Sequence, residues 1–533
     1  MQEHIFKHGS KDTMIETTKG KIQGYEYDGV RIFKGIPYAK AQRFHTPEPA
    51  DPWEGVLDAT NYGYVCPLMS SPMPFGELVN PHRYWIENEN CQNLNIWTPS
   101  GAPEKLPVLV WLHGGGFTEG SSIEQLAYEG ENMSRFGQVV VVSLNHRINI
   151  LGFCDLSDFG EEYANSANAG MDDIIAALKW IRENIERFGG DPENVTLFGQ
   201  SGGGEKISAL LQMPEADGLY HKGVIMSGVL DPGLEDNQGS GRPLIEAMME
   251  ELQTEDVKVL ETIPFRELVN VYQKVSPKLK AEGKYVGQVP NPNKFYAGMP
   301  LGYGFRKETA NIPLMVGGVF GEMNTAIGTE AAQKYREERK LPRKEQMALI
   351  EALIGKNAAD ELIREFEKAY PDRAVTDLHY ADMVFRLPSK KFIDMRRTMN
   401  TCTYSYMFNQ DLPLNGGSAP WHCADIPFMF HNTELVPVTQ LPGVTRKLEE
   451  QMFKSIIAFA ATGNPDNDSI PHWPSSDAEN ENVMIFDSHT RMIPNNDADF
   501  LISLKKNFGY IYGSELDPTM KFLFGDKWMN LWK

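Results

Sequence analysis

Two short runs, Leu106-Pro-Val-Leu-Val-Trp-Leu112 and Val139-Val-Val-Val-Ser-Leu144, are apolar at nearly every position and bounded by glycine or charge. A strand exposed on one face alternates, whereas a strand covered on both faces does not. Each run therefore predicts a buried strand of a parallel sheet. Residues 123–136 between them carry a helical pattern. From Asp172 to Phe188, apolar residues at Ile174, Ala177, Leu178, Ile181 and Ile185 recur along one helix face. Strand formers at Val195-Thr-Leu-Phe198 follow, then a helical run from Glu205 and a strand over His221-Lys-Gly-Val-Ile-Met-Ser227. Pro313–Phe320 and Thr403–Phe408 resume the strand rhythm. Strands alternating with helices predict an α/β fold built on a doubly wound, mostly parallel sheet.

The remaining pattern is subordinate to that sheet. Residues 14–40 alternate, with turn signals at Lys19-Gly20 and Asp28-Gly29, and predict an N-terminal antiparallel ribbon. The blocks around 234–300 and 329–400 are helical and charged and read as insertions capping the sheet. The length of 533 residues would suggest several domains. Large α/β enzymes often run long as one, and residues 1–533 read as a single domain with those two insertions.

Composition narrows the function. Apolar residues make up 41% of the chain, enough for a large core. Lys and Arg number 51 against 72 Asp and Glu, a net charge of −21 that repels nucleic acid and anionic membrane. The N-terminus is polar and lacks the basic start and apolar run of a secretory signal. No stretch reaches the roughly 18 apolar residues of a membrane span. Five scattered cysteines fit neither a disulfide scaffold nor a zinc site, which leaves a single Cys66–Cys91 bridge open. The expected location is the cytoplasm, with no nucleic-acid or membrane partner and no metal.

The chemistry concentrates at Val195-Thr-Leu-Phe-Gly-Gln-Ser-Gly-Gly-Gly204. A strand runs into Gly199-x-Ser201-x-Gly203 and then into a helix, the context of a nucleophile elbow. Gly199 and Gly203 remove the Cβ atoms that would clash where strand and helix meet. Serine is a weak nucleophile and needs a base and an orienting acid. In this fold class the order along the chain is Ser, acid, His. Glu322 follows the Pro313–Phe320 strand directly. His422 lies in a turn-rich loop after Thr403–Phe408, and His431 is close enough to be a rival. Taken alone, Glu322 also reads as a solvated loop carboxylate and His422 as a packing histidine. Leu112-His-Gly-Gly-Gly-Phe117 matches an oxyanion-hole loop, in which glycines let backbone N–H groups approach a carbonyl oxygen. The amide of Gly202 would add a third donor.

These segments, with Phe33-Lys-Gly-Ile-Pro-Tyr-Ala39, Glu89-Asn-Cys-Gln-Asn-Leu-Asn-Ile-Trp97, Asn145-His-Arg147, Leu151-Gly-Phe153 and Phe188-Gly-Gly-Asp-Pro-Glu-Asn-Val-Thr-Leu-Phe-Gly-Gln-Ser201, carry a resemblance over nearly the whole chain. The chain resembles the type-B carboxylesterase/cholinesterase family, and within it the bacterial carboxylesterases. The resemblance implies an α/β-hydrolase fold, with Ser201 as nucleophile, Glu322 as acid and His422 as base. It implies Gly115, Gly116 and Gly202 as oxyanion donors, Ser227 as the serine beside the acid, and Asp425 as the buried acid past the histidine. Cys66 and Cys91 match a pair often bridged in secreted members; without a signal, thiols are expected.

Three positions depart from the family pattern. Gln200 replaces the usual glutamate before the nucleophile, which predicts weaker attraction for cationic alcohols. Gly202 replaces the usual alanine, which predicts a less stiff turn. Met323 follows Glu322 where a glycine is usual, which puts the loop geometry in question.

The activity these residues imply is hydrolysis of a small-molecule carboxylic ester through an acyl-enzyme, with no cofactor. Phe117 and Trp421 flank the oxyanion loop and the base, and read as an apolar pocket wall or as core. Two other readings stand. The same triad serves amides, carbamates or lactones, and the family's fold also includes non-catalytic binding modules. The chain reads as a monomer or a homodimer, the amphipathic segment 520–532 being either a docked helix or a dimer contact.

Overall fold

The computed structural model describes residues 4–70, 79–102, 105–230, 238–323, 329–382, 384–399 and 402–511. The 520–532 segment lies outside them, as does Asn324 of the acid loop. The described residues of Met1–Glu77, Pro81–Ile225 and Glu235–Ile312 form one compact unit, and those of Leu78–Asn80, Met226–Leu234 and Pro313–Lys533 a second.

The first unit is built on eight strands: β1 (Phe6–His8), β2 (Tyr25–Tyr27), β3 (Val30–Pro37), β4 (Asn93–Pro99), β5 (Leu106–Leu112), β6 (Val140–Leu144), β7 (Gly190–Gln200) and β8 (Lys222–Met226). Their order is β1-β2-β3-β4-β6-β5-β7-β8. β5 pairs in parallel with β6 and β7, while β1 to β4 join antiparallel and β4 joins β6 antiparallel. Every residue of β6 and all but one of β5 are buried, which accounts for the unbroken apolar runs.

The ribbon over 14–40 divides between two sheets. Met14–Glu16 and Lys21–Gln23 pair antiparallel and are extended by Val56–Asp58 in a small separate sheet. β2 and β3 form a hairpin in the large sheet. Asp28 (φ +46°) and Gly29 (φ +80°) occupy its two-residue turn, the left-handed pair such a turn demands. The helix expected over 123–136 is shorter than its pattern. A single 3₁₀ turn covers Leu126–Tyr128, and the α-helix spans only Gly130–Gly137. The long helix α1 (Ala169–Asn184) and the elbow helix α2 (Gly202–Leu210) complete the first unit's main layer. The insertion contributes helices at Arg242–Glu251 and Phe265–Ala281, which pack Leu244, Ile245, Met248, Leu268 and Tyr272 onto a core with Cys66, Cys91 and Leu151.

The second unit carries β9 (Leu314–Val319), β10 (Thr403–Phe408), β11 (Asn482–Phe486) and β12 (Arg491–Pro494) in that order, parallel but for the last pair. Helices at Thr329–Arg339, Arg343–Ile354, Lys356–Ala369 and Arg386–Arg397 supply the predicted helical block. Phe320, Leu362, Phe366, Tyr370 and Phe500 are the centre of this unit's core.

One buried ion pair ties α1 to the loop after β6. The Arg147 guanidinium donates to both carboxylate oxygens of Asp173, Nη2 to Oδ1 at 2.7 Å and Nε to Oδ2 at 2.8 Å, and its backbone N–H adds a third bond at 2.9 Å. Nη1 also donates to the carbonyl of Gln42. Both side chains are almost fully buried, so removing one strands the other charge. Asp173→Ala is expected to cost about 3–5 kcal/mol in urea unfolding. Lys179→Ala, which breaks an exposed pair with Glu215, is expected to cost under about 0.5 kcal/mol.

Candidate active site

β7 ends at Gln200 and α2 begins at Gly202, earlier than the expected start at Glu205 and leaving a single residue for the turn. That residue is Ser201, held at φ +55° and ψ −127°. Side chains other than glycine rarely adopt this backbone, and it persists only where the surroundings enforce it. The enforcement is visible in the glycines. A Cβ on Gly199 would lie 2.6 Å from the Gly203 carbonyl carbon, and one on Gly203 would lie 2.0 Å from the Leu112 oxygen. The Ser201 carbonyl accepts the N–H groups of Gly204 and Glu205, starting the helix at once.

The loop after β5 packs against this turn. Gly115 and Gly116 both have left-handed backbones, at φ +83° and +58°. A Cβ on Gly202 would lie 2.2 Å from the Gly116 oxygen and 2.4 Å from its Cα. Gly202 therefore does more than loosen the turn, as the sequence implied: any side chain there would collide with backbone. Gln200 is buried beneath the same loop, its side-chain oxygen 3.3 Å from where a Cβ on Gly114 would sit.

Sequence reasoning missed the charged groups behind this loop. Lys206, fully buried on α2, donates from Nζ to the carbonyls of His113 (3.0 Å) and Gly116 (2.7 Å). Burial pushes its ammonium below the ordinary lysine range, with Glu205 and Glu124 opposing the shift. Burial likewise lifts Glu124 to about 8 and drives His113 well down. His113 Nδ1 donates to the Gly114 carbonyl. The signal was a lysine one turn past Ser201, inside an otherwise buried helix, where a lone charge needs a partner.

In the second unit, Glu322 lies just past β9 and is buried, and His422 Nδ1 donates to its Oε2 at 2.6 Å. The backbone repeats the tie, His422 N–H bonding the Glu322 carbonyl at 2.7 Å. The other carboxylate oxygen, Oε1, accepts Ser227 Oγ at 2.5 Å and the Val319 N–H at 2.8 Å. Three donors fix the carboxylate, and the fourth bond fixes its backbone, despite Met323. With Nδ1 committed as donor, Nε2 is the basic nitrogen of His422. The imidazole keeps 22% of its surface exposed, enough for one edge to do chemistry. His431 is not paired with Glu322; it stands 3.5 Å from Glu449 and stacks on Phe453.

Two buried acids neighbour Glu322. Asp425 accepts the Tyr406 hydroxyl at 2.8 Å, and burial lifts its carboxyl to about 7, with the charge of Glu322 adding to the shift. Asp382, which the sequence did not single out, is raised by burial and then by Glu322. It accepts the N–H groups of Val384, Phe385 and Arg386, and so shapes the turn that lays Phe385 flat on His422, with ring centroids 5.0 Å apart and planes 10° apart. An aspartate just ahead of a helix was its available signal.

Phe117 is buried with its ring edge-on to Phe153, and Trp421 is buried with no acceptor for its indole N–H among the described residues. A cavity of about 370 Å³ lined by Tyr38, Ile175, Trp180 and Phe295 contains none of these site residues. No group of three or more His, Cys, Asp or Glu among the described residues is placed to hold a metal ion. All five cysteines are thiols.

Comparison with known proteins shows the family. The family model described as "Carboxylesterase family" matches residues 11–501. The para-nitrobenzyl esterase of Bacillus subtilis is 31% identical over 499 residues, covering 89% of this chain and 95% of that protein. The phenmedipham hydrolase of Pseudarthrobacter oxydans is 28% identical over 496 residues, covering 89% and 94%. Among solved structures, an esterase from the anaerobe Clostridium hathewayi, described as able to hydrolyse aliphatic aromatic polyesters, superposes with a TM-score of 0.90. It is 46% identical, over 95% of this chain and 100% of that one. The chain therefore belongs to the carboxylesterase family: it is a carboxylic ester hydrolase with the α/β-hydrolase fold, a mostly parallel sheet flanked by helices.

Proposed function

We propose that the protein is a serine carboxylesterase in which Ser201 is the nucleophile, His422 the base and Glu322 the acid. The observation that carries this reading is the Ser201 backbone, held in a conformation that a folded protein maintains only at cost. Ser201 Oγ attacks the ester carbonyl carbon and its proton passes to His422 Nε2. Glu322 keeps Nδ1 protonated and stabilises the imidazolium. The amides of Gly115, Gly116 and Gly202 bind the oxyanion. The bond to the alcohol breaks as His422 returns the proton to the leaving oxygen, and water then releases the acid by the same steps. Ser227 holds Glu322, and Asp382 and Asp425 surround it.

The substrate class is a small carboxylic ester, and we extend it to esters of aromatic acids with aliphatic alcohols. The polyester-hydrolysing relative supports that extension. Phe117 and Trp421 are the proposed apolar wall. The proposed location is the cytoplasm, which five scattered cysteines that fit no disulfide scaffold support.

The test is hydrolysis of p-nitrophenyl acetate, butyrate and octanoate, and of a short aromatic oligoester. Ser201→Ala is expected to lower kcat at least about 10⁴-fold on all four. His422→Gln should do the same, while His431→Gln keeps kcat within about threefold. Full activity in Ser201→Ala would overturn the assignment.

Asp425 generates a stability prediction. Its folded-state pKa of about 7 lies above the ordinary aspartate value of 3.8, so folding favours the neutral form. That contribution is present at low pH and is lost as pH rises through about 7. Asp425→Asn stays neutral and can still accept from Tyr406. Its urea stability relative to wild type is expected to improve between pH 5 and pH 8, by at most about 3 kcal/mol.

A further inference from the structure

We propose that Lys206 is the positioning residue of the oxyanion hole, clamping the triple-glycine loop onto the helix that begins beside the nucleophile, and that Gly202 lacks a side chain so that the clamp can close. The proposal rests on the assignment of Ser201 and the Gly115–Gly116 loop made above.

The loop cannot hold its own shape. Three successive glycines, two of them left-handed, have the greatest backbone freedom a chain offers and no side chains to pack. An oxyanion hole nevertheless needs its N–H groups fixed before the charge develops. Each peptide plane is fixed through its carbonyl, and every carbonyl from His113 to Gly116 has a donor. The plane bearing the Gly115 N–H is held at the Gly114 oxygen by His113 Nδ1, at 2.9 Å. The plane bearing the Gly116 N–H is held at the Gly115 oxygen by the N–H groups of Glu119 (2.9 Å) and Thr118 (3.2 Å). The two flanking planes are both held by Lys206, at the His113 oxygen (3.0 Å) and the Gly116 oxygen (2.7 Å). One ammonium thus pins both ends of the segment that supplies the donors.

Lys206 is well suited to this task and poorly suited to any other. It is fully buried, with no access to solvent, and its Nζ also lies 5.5 Å from the centroid of the Phe117 ring that ends the loop. Burying an ammonium is expensive unless its protons are bonded. The two carbonyls supply those bonds, and Glu205 and Glu124 oppose the effect of burial on the ammonium. Because Lys206 stands on α2, the clamp references the oxyanion loop to the element that also positions Ser201. Gly202 is the second half of the device. The Gly116 backbone comes so close that a Cβ at 202 would meet its N, Cα and O at 2.5, 2.4 and 2.2 Å. An alanine there would push Gly116 away from the helix and off Lys206.

The experiment compares wild type with Lys206→Met, Lys206→Gln, Gly202→Ala and the Lys206→Met/Gly202→Ala double variant. Steady-state kinetics on p-nitrophenyl butyrate are read beside inhibition by an alkyl trifluoromethyl ketone and by the matching methyl ketone. With the trifluoromethyl ketone, Ser201 Oγ adds to the carbonyl carbon, its proton passes to His422 and the carbonyl oxygen becomes an oxyanion. Each single variant is expected to lose about 10²-fold in kcat with KM within about threefold. Trifluoromethyl ketone affinity should fall in step with kcat, while methyl ketone affinity holds. The double variant should lose little more than either single one, because both act on the same contact. Lys206→Gln is the second variant should Lys206→Met not fold, and Gly202→Ala probes the contact without touching the lysine. Loss of turnover with trifluoromethyl ketone affinity retained, or full additivity in the double variant, would overturn the proposal. Undiminished turnover in Ser201→Ala would instead overturn the assignment on which it rests.

Discussion

Backbone packed directly on backbone is the constraint on which the first unit's chemistry depends. The turn from β7 into α2 closes on itself, on the end of β5 and on the loop after β5 so tightly that no Cβ fits at 199, 202 or 203. This contact holds Ser201 in its unusual conformation, sets the start of α2 and brings the glycine loop against Ser201. A contact made by main chain alone cannot relax through rotamers, so it is stiff where a side-chain contact would give. It also explains why this stretch of sequence is glycine at so many positions.

The second unit solves a different problem, that of holding one carboxylate in one orientation. Glu322 is immobilised by Ser227, the Val319 amide and His422, and its backbone is tied to the same histidine. The cost is electrostatic: Asp382 and Asp425 are buried beside it and are both pushed toward neutrality. Charge near Glu322 is thereby concentrated on the group that faces the imidazole.

Much of this was legible in the sequence because it rests on local pattern. β5 and β6 announce themselves as unbroken apolar runs, and the Thr403–Phe408 strand is where the pattern puts it. The glycines around Ser201 follow from the steric needs of an elbow. What stayed hidden depends on distant partners. β4 and β11 lack a strong strand signature and were not identified as strands. The division of the 14–40 ribbon into two sheets is decided by tertiary pairing, since the β2–β3 hairpin joins β4 and the other hairpin joins Val56–Asp58. Lys206 and Asp382 look like surface charges in the sequence; only the fold buries them and supplies the bonds that make burial tolerable.

The most direct test of the central claim, that Ser201 alone carries the acyl group, is covalent. The protein is treated with one equivalent of an alkyl fluorophosphonate and the adduct is located by peptide mass mapping while residual hydrolysis is followed. The account predicts one label per chain, on Ser201, with activity lost in proportion to labelling. A label on another residue that abolishes activity, or full hydrolysis by protein labelled at Ser201, would contradict it.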